Sequence, residues 1–249
     1  MARTAVTNRT EIQNYPYSIN FVDSGNQRIT CPGSASYTTN IVSNYTILSL
    51  VKLNAKTLNT GISHSIISNN AASASNNLWY YVEEPSRKVV SIITNGVSTQ
   101  SFTSTNTVST NWAWVGTAYQ AGTALKIIIN TNVETIAPTL TAVQDNTRVL
   151  SVGSTNSLTR IHGNIARIVY FSGQLTSTEL SRFVYGGQMP SVTAVLDWRM
   201  TEGSGTTIAD SSGNGNVGTL SSSTWSTSVP LKIRTIETNR VIATNRITV

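Results

Sequence analysis

The stretch KVVSIITNGVSTQSF, residues 88–102, decides the fold class. Two runs rich in β-branched and apolar residues, 88–93 and 97–102, flank the dipeptide Asn95-Gly96. Asn-Gly between two such runs is typical of a tight β-hairpin, because both central residues of its turn need a positive φ. The stretch therefore predicts two antiparallel strands with a two-residue turn at Asn95 and Gly96.

Similar short runs recur along the 249-residue chain, separated by turn-forming residues. The most apolar of them predict buried strands at 124–130, 148–153 and 166–171. Weaker runs predict further strands at 18–22, 45–53, 79–83, 112–119 and 194–200. The Ser- and Asn-rich region 58–77 is interpreted instead as including an exposed loop.

A single segment has the pattern of a helix. Thr176 to Glu179 has the spacing of a capping box, in which Thr and Glu satisfy each other's free backbone N–H groups. Leu180, Phe183 and Val184 then fall on one face, and Gly186-Gly187 is suited to end the helix. One short helix among a dozen strands predicts an all-β sandwich or barrel.

Five segments, taken in order, carry a family resemblance. They are WAWVGTAY at 112–119, GTALKIIIN at 122–130, LSVG at 150–153, IHGNIARIVY at 161–170 and LTSTEL at 175–180. Their order and spacing resemble the laminin G-like jelly roll of the concanavalin A-like lectin/glucanase superfamily. The resemblance implies an all-β jelly-roll sandwich of two antiparallel sheets with one short helix.

The segment EGSGTTIADSSGNGNVGTL, residues 202–220, is nearly a motif of the same family. In the usual arrangement this motif opens the domain, whereas here it closes it. The resemblance covers residues 15–230, which we take as one domain. Residues 1–14 and 231–249 are left as an N-terminal arm and a C-terminal extended arm.

Two interpretations of this motif remain open. Its glycines permit positive φ, and Asp and Asn at 210 and 214 favour Asx-turns, so the motif can be a purely structural turn. Some relatives bind calcium, and the oxygens of Glu202, Asp210, Asn214 and Asn216 are of the kind that Ca²⁺ prefers. Only two of these residues are carboxylates, which favours the structural turn.

Aromatic residues are the candidates for carbohydrate contact, because the C–H faces of sugar rings stack on aromatic rings. The candidates are Trp79, Tyr80, Tyr81 and Trp225. Ordinary packing on a sheet is the alternative for all of them. Trp112 and Trp114 share a face by strand alternation and are expected in the core.

The sequence favours a protein that is not an enzyme. Retaining glycosidases need two carboxyl groups about 5–5.5 Å apart, and the chain's close acidic pair, Glu83-Glu84, should point to opposite faces of a strand. No nucleophile-elbow, phosphate-loop or metalloprotease motif occurs. A degenerate glucanase is the remaining enzymatic alternative.

Composition excludes other classes. Charged residues make up 11% of the chain, and its net charge of +6 is dispersed rather than clustered, so no nucleic-acid partner is expected. A single cysteine excludes an intrachain disulfide, and the two histidines lack zinc-ligand spacing. No apolar run is long enough for membrane insertion, and residues 1–5 have no apolar signal-peptide core.

Two functional hypotheses follow. The first is a structural protein on the surface of a virus particle, such as a phage capsid decoration or tail component, with other structural subunits as partners in a multi-copy assembly. Its assembly arm would use Lys232, Arg234, Arg240 and Arg246 for acidic neighbours, and Ile233, Ile236, Ile242 and Ile247 for strand pairing. The second is a free lectin module, secreted or at a cell surface, that binds cell-surface polysaccharide.

Overall fold

The computed structural model describes residues 15–23, 25–33, 43–56, 63–68, 78–143, 149–154 and 159–230. The predicted arms, 1–14 and 231–249, lie outside these ranges, and so does the whole candidate assembly set in the second arm. The division into a domain and two arms therefore stays a prediction.

The described residues form two eight-stranded sheets in which the paired strands are antiparallel. Sheet 1 contains β1 (Ser18–Phe21), β3 (Asn44–Leu53), β8 (Ala113–Gln120), β9 (Ala124–Ile129), β10 (Asn132–Ile136), β12 (Gly163–Phe171), β13 (Ala194–Trp198) and β16 (Thr224–Ser226). Sheet 2 contains β2 (Arg28–Cys31), β4 (Ser63–Ser68), β5 (Leu78–Glu83), β6 (Lys88–Thr94), β7 (Thr99–Thr107), β11 (Leu150–Val152), β14 (Thr207–Ile208) and β15 (Gly218–Ser221). The predicted β-sandwich is confirmed.

Only some of the strands that follow one another in the sequence are paired in a sheet. Sheet 1 has the order β10-β9-β8-β3-β12-β1-β16, with β13 also paired to β12. Sheet 2 has the order β14-β15-β2-β11-β4-β5-β6-β7. Strands β4 to β7 are therefore a consecutive meander that ends at one edge of sheet 2.

The main core lies between the two sheets and is built from alternate residues of the strands. Two hydroxyl pairs connect the sheets inside it. The Ser49 hydroxyl lies 2.6 Å from the Tyr80 hydroxyl, and the hydroxyls of Ser91 and Thr117 are 3.0 Å apart. Each of these four hydroxyls thus has a partner, which removes the cost of leaving it unpaired.

A second apolar cluster lies on the outer face of sheet 1, where helix α1 (Ser177–Gly186) packs. The capping box is confirmed: Glu179 N donates to Thr176 Oγ1 at 3.2 Å, and Thr176 N donates to Glu179 Oε2 at 3.0 Å. Gly187 ends the helix with a φ of 65°. Leu180 and Phe183 are buried, and the predicted core position of Trp114 is confirmed against this helix.

The hairpin of β6 and β7 is confirmed, but its predicted two-residue turn is wrong. The strands end at Thr94 and Thr99, which leaves four residues in the loop. Of the predicted turn pair, Gly96 alone has a positive φ, 89°. The Asn95 side chain instead accepts hydrogen bonds from Val97 N at 3.0 Å and Ser98 N at 2.7 Å. This Asx-type turn explains the longer loop.

Within region 58–77, residues 63–68 form a strand that the sequence did not predict. They form β4, which is buried at every position. Its polarity misled the prediction, because these polar side chains make hydrogen bonds inside the fold. Ser65 Oγ, for example, accepts a bond from the Trp79 indole at 3.1 Å. The remainder, 58–62 and 69–77, lies outside the described residues.

Within the described ranges, no helix has the length and apolar character that crossing a membrane requires.

Candidate functional site

The outward side of β5 carries two aromatic rings. Trp79 and Tyr81 alternate with Leu78, Tyr80 and Val82, which point into the core. The two outward rings have centroids 4.6 Å apart and planes inclined by 37°. Both side chains are half-buried, so part of each ring faces solvent. Burial, with the nearby Glu83 carboxylate, raises the pKa of the Tyr81 hydroxyl, which keeps it protonated at neutral pH.

Strand register places uncharged side chains beside these rings. On β6, Ile92 lies opposite Trp79 and Val90 lies opposite Tyr81. On β7, Ser101 lies opposite Ile92 and Thr103 lies opposite Val90. Directly opposed residues of antiparallel strands share a face, so all six side chains lie on the outer side of sheet 2. We call this set the open face: Trp79, Tyr81, Val90, Ile92, Ser101 and Thr103.

The open face changes character from β5 to β7. Its β5 side is aromatic, its middle is aliphatic, and its β7 side carries hydroxyls that are exposed to solvent. Val90 is only 3% exposed and Ile92 is half-buried. An apolar floor beside exposed hydroxyls suits a ligand that has both C–H faces and hydroxyl groups.

Tyr80 does not belong to this surface. Its side chain is fully buried between the sheets, and its hydroxyl is bonded to Ser49. The sequence analysis placed three consecutive residues in one candidate set, but strand alternation sends the middle one to the opposite face. The Tyr80 prediction as a carbohydrate contact is therefore corrected.

Trp225 also lies apart from the open face, because it belongs to β16 at the edge of sheet 1. Its indole N–H donates to the Gly205 carbonyl at 2.8 Å, and its ring meets Tyr17 edge-on at 6.3 Å. Gly203, with a φ of +71°, lies against the same tyrosine, so closely that a Cβ there would be 2.5 Å from the ring. These contacts give Trp225 a structural role in holding the 202–207 segment.

The carboxylate of Asp210 is fully engaged with the protein. Its Oδ1 accepts bonds from Asp197 N at 2.9 Å and Ser212 N at 3.0 Å. Its Oδ2 accepts bonds from Ser212 Oγ at 2.8 Å and Asn216 N at 2.9 Å. Four donors thus point at the two oxygens that a calcium ion would need.

The other three candidate calcium ligands make structural contacts as well. The side-chain amides of Asn214 and Asn216 donate to carbonyl oxygens of β13, at Ala194 (3.1 Å) and Val195 (2.6 Å) respectively. Glu202 Oε1 accepts a bond from Ala209 N at 2.8 Å. No group of three or more His, Cys, Asp or Glu among the described residues is placed to hold a metal. The four donors at Asp210 and the amide bonds to β13 favour the structural turn over a calcium site.

The acidic pair Glu83-Glu84 is divided as predicted. Glu83 Oε2 accepts a bond from Ser86 Oγ at 3.0 Å, whereas Glu84 Oε1 lies 3.0 Å from His64 Nε2 and 2.7 Å from Arg87 Nη1. His64 Nδ1 accepts a bond from His162 N at 3.1 Å, so both ring nitrogens have partners. Burial, against the opposing effect of the Glu84 hydrogen bond, lowers the pKa of His64 to about 4. Neither group is free to act as a general base.

Sequence reasoning missed four residues of the open face, which are Val90, Ile92, Ser101 and Thr103. Each belongs to a strand that the sequence did predict, within the hairpin of residues 88–102. What was lacking was the register, because only pairing across β5, β6 and β7 brings these side chains next to Trp79. The alternation within each run was the available signal, but it does not by itself say which strands are neighbours.

No family model and no curated protein sequence matches the chain. Solved structures do resemble it. A Bacteroides ovatus protein, proposed to bind carbohydrate, aligns with a TM-score of 0.67 and 16% identity over 88% of this chain and 62% of that one. A heptameric SAP-like pentraxin from Limulus polyphemus aligns with a TM-score of 0.55 and 12% identity, over 84% and 96% of the two chains.

Botulinum neurotoxin type C, whose cell entry depends on interaction with two ganglioside molecules, aligns with a TM-score of 0.50 and 14% identity over 65% of this chain and 40% of the toxin chain. This chain thus spans less than two thirds of the Bacteroides ovatus protein and of the toxin. At these identities the likenesses define the fold alone. The chain has a concanavalin A-like jelly-roll β-sandwich, as the sequence predicted.

Proposed function

We propose that the chain is a non-catalytic, lectin-like module that binds carbohydrate through the open face of sheet 2. The observation that carries the proposal is the half-buried ring pair Trp79–Tyr81 on the outer side of sheet 2, beside the uncharged side chains of Val90 and Ile92. Aromatic rings at an open sheet surface offer the apolar contact that the C–H faces of sugars need.

Among the described residues, the acidic pair and the buried histidine each have partners within the fold, which supports a binding role over a catalytic one. Glu83 and Glu84 are held apart by different partners, and the His64 imidazole is neutral and fully hydrogen-bonded. Two of the similar structures also point towards glycan recognition in proteins of this fold, since one is proposed to bind carbohydrate and another interacts with gangliosides.

The proposal is tested by a glycan array with the wild-type chain and with Trp79→Ala and Tyr81→Ala. A glycan that binds the wild type should bind each variant about 5-fold more weakly or worse, because each substitution removes a stacking contact worth about 1 kcal/mol or more. Tyr185→Ala is the matched control, since this tyrosine is 71% exposed on α1 at the opposite side of the sandwich. Absence of any glycan binding by the folded wild type would contradict the proposal, and so would binding that both variants retain in full.

We further propose, from the sequence, that the module acts on the surface of a virus particle in many copies, with residues 231–249 as its assembly arm. The low charge and the Ser-, Thr- and Asn-rich composition support this placement. Deleting residues 231–249 should abolish incorporation into particles while leaving glycan binding intact. Normal incorporation of the truncated chain would contradict the assembly role.

A further inference from the structure

We infer that the open face takes a neutral oligosaccharide that crosses the strands from β5 to β7, with Ser101 and Thr103 as specificity-determining residues. This inference rests on the proposed carbohydrate function and adds the class of ligand, its direction and two contacts. It depends on three properties of the open face, which are its charge, its gradient of polarity and its width.

The first property is charge. None of the six side chains of the open face is ionisable at neutral pH, since burial raises the pKa of Tyr81 and the other five have no such group. The chain as a whole carries a net charge of +6, which would suit an acidic glycan. The ionisable side chains next along the same side of β5 and β6 are Glu83 and Lys88, which have opposite charges. The face and its border therefore carry no net charge to compensate a carboxylate or sulfate on the ligand for the water that it loses.

The second property is the gradient of polarity across the strands. Two transverse rows cross the face, Trp79–Ile92–Ser101 and Tyr81–Val90–Thr103. Each row therefore begins at an aromatic ring, passes an aliphatic side chain and ends at a hydroxyl. A ligand that lies along a row meets apolar contact first and hydrogen-bonding groups last, so the rows define a direction for the chain.

The third property is width. Neighbouring strands are about 4.8 Å apart, so the distance from β5 to β7 is about 10 Å. A single hexose stacked on the rings leaves the β7 hydroxyls out of its reach, whereas a second linked unit lies over Ile92 and Val90 and reaches them. The face therefore fits at least two linked units.

The hydroxyls at the far end are free to contact a ligand. Ser101 and Thr103 are exposed on β7, which is the edge strand of sheet 2. By contrast, Ser65 on the β4 side is buried and already accepts the Trp79 indole N–H. The polar contacts of the ligand thus fall on the β7 side, and its apolar contact falls on β5.

The experiment measures affinity by calorimetry for neutral mono-, di- and tetrasaccharides of glucose, mannose and xylose, and for sialylated, uronic-acid and sulfated glycans. The variants are Trp79→Ala and the double variant Ser101→Ala/Thr103→Val, with Thr219→Val as a matched control. Thr219 is also an exposed strand threonine of sheet 2. It lies on β15, near the opposite end of the strand order from β7.

We expect neutral ligands to bind more tightly as they lengthen from one unit to two, with equal affinity in 50 mM and 500 mM NaCl. The double variant should lose about 10-fold for the tetrasaccharide, from two hydrogen bonds of about 0.7 kcal/mol each, and nothing for the monosaccharide. Trp79→Ala should weaken both, and Thr219→Val should weaken neither.

Three results would overturn the inference in distinguishable ways. Salt-sensitive binding of acidic glycans alone, lost in Trp79→Ala, would refute the neutral ligand but leave the proposed carbohydrate function standing. An equal loss for monosaccharide and tetrasaccharide in the double variant would refute the direction across the strands. No binding of any glycan by the wild type would overturn the proposed function and this inference together.

Discussion

The outer faces of the two sheets carry similar aromatic side chains, which differ in how far they are exposed to solvent. On sheet 1, Trp114 is only 4% exposed, because Phe183 of helix α1 packs against its ring with centroids 5.1 Å apart. On sheet 2, Trp79 is half-buried and its ring partner is Tyr81 of the same strand. An aromatic residue on the outer side of a strand is therefore buried or exposed according to whether another element packs over it.

We call the outer side of sheet 1, against which α1 packs, the covered face. We expect the covered face to contribute mainly to stability and the open face to bind the ligand. The largest expected effect is on the covered face, from Phe183→Ala. Its ring contacts Trp114 and Phe171 and lies 4.9 Å from the Arg167 guanidinium. Removing such a buried ring costs about 3–5 kcal/mol of unfolding free energy, measured by denaturant titration, and should leave glycan affinity unchanged.

Tyr185→Ala, on the same helix but 71% exposed, is the control and should change stability by less than about 0.5 kcal/mol. A loss of less than about 1 kcal/mol of unfolding free energy in Phe183→Ala would contradict the separate roles of the two faces. A parallel loss of glycan binding would contradict them as well.

The next effect concerns pH and separates stability from binding. The pKa of His64 is lowered to about 4 in the folded chain and returns to about 6.5 on unfolding. The unfolded state therefore takes up a proton first as the pH falls. The free energy of unfolding is therefore unaffected by His64 above pH 6.5, and it falls towards pH 4 by about 3 kcal/mol at most. Glycan affinity should stay constant over this range, because the open face has no group that titrates there.

Unfolding free energies between pH 7.5 and 4.5 check this expectation. His64→Gln should remove most of the decline, whereas His162→Gln should keep it, because His162 contributes its backbone N–H to the contact. An unchanged pH dependence in His64→Gln would contradict the account of the buried imidazole.

A smaller effect is expected at the 202–216 turn, which is bonded to β13. Asp210→Asn replaces an oxygen that accepts hydrogen bonds by an amide that donates them, and should cost about 2 kcal/mol of stability. Thermal unfolding of the wild type should be the same with calcium and with EDTA. A clear rise in the melting temperature on adding calcium would mean that the ion binds and stabilises the fold, against the structural interpretation.

The sequence predicted elements well wherever local chemistry determines them. The capping box from Thr176 to Glu179 and the glycine end of α1 depend on neighbouring residues only, and both were found as expected. The β6–β7 hairpin was predicted, but the Asn95 side chain bonds to the backbone and lengthens its turn. β4 was missed because its serines and His64 are satisfied by distant partners that a local pattern does not contain.

The candidate site was predicted only in part for the same reason. Trp79 and Tyr81 stand out in the sequence, but strand alternation was needed to remove Tyr80, and sheet membership was needed to remove Trp225. The contribution of β7 arises from register between strands. The contacts of Asp210 with Asp197 and Asn216 likewise depend on how the turn folds against β13.

The most direct test of the central claim is an NMR titration of the five tryptophan indole N–H signals with a neutral tetrasaccharide, with the Trp79 signal assigned by Trp79→Phe. If the tetrasaccharide binds at the open face, the Trp79 signal shifts progressively to saturation, while those of buried Trp114 and Trp198 remain in place. A saturable shift confined to Trp225 or Trp112, with Trp79 unmoved, would contradict binding at the open face.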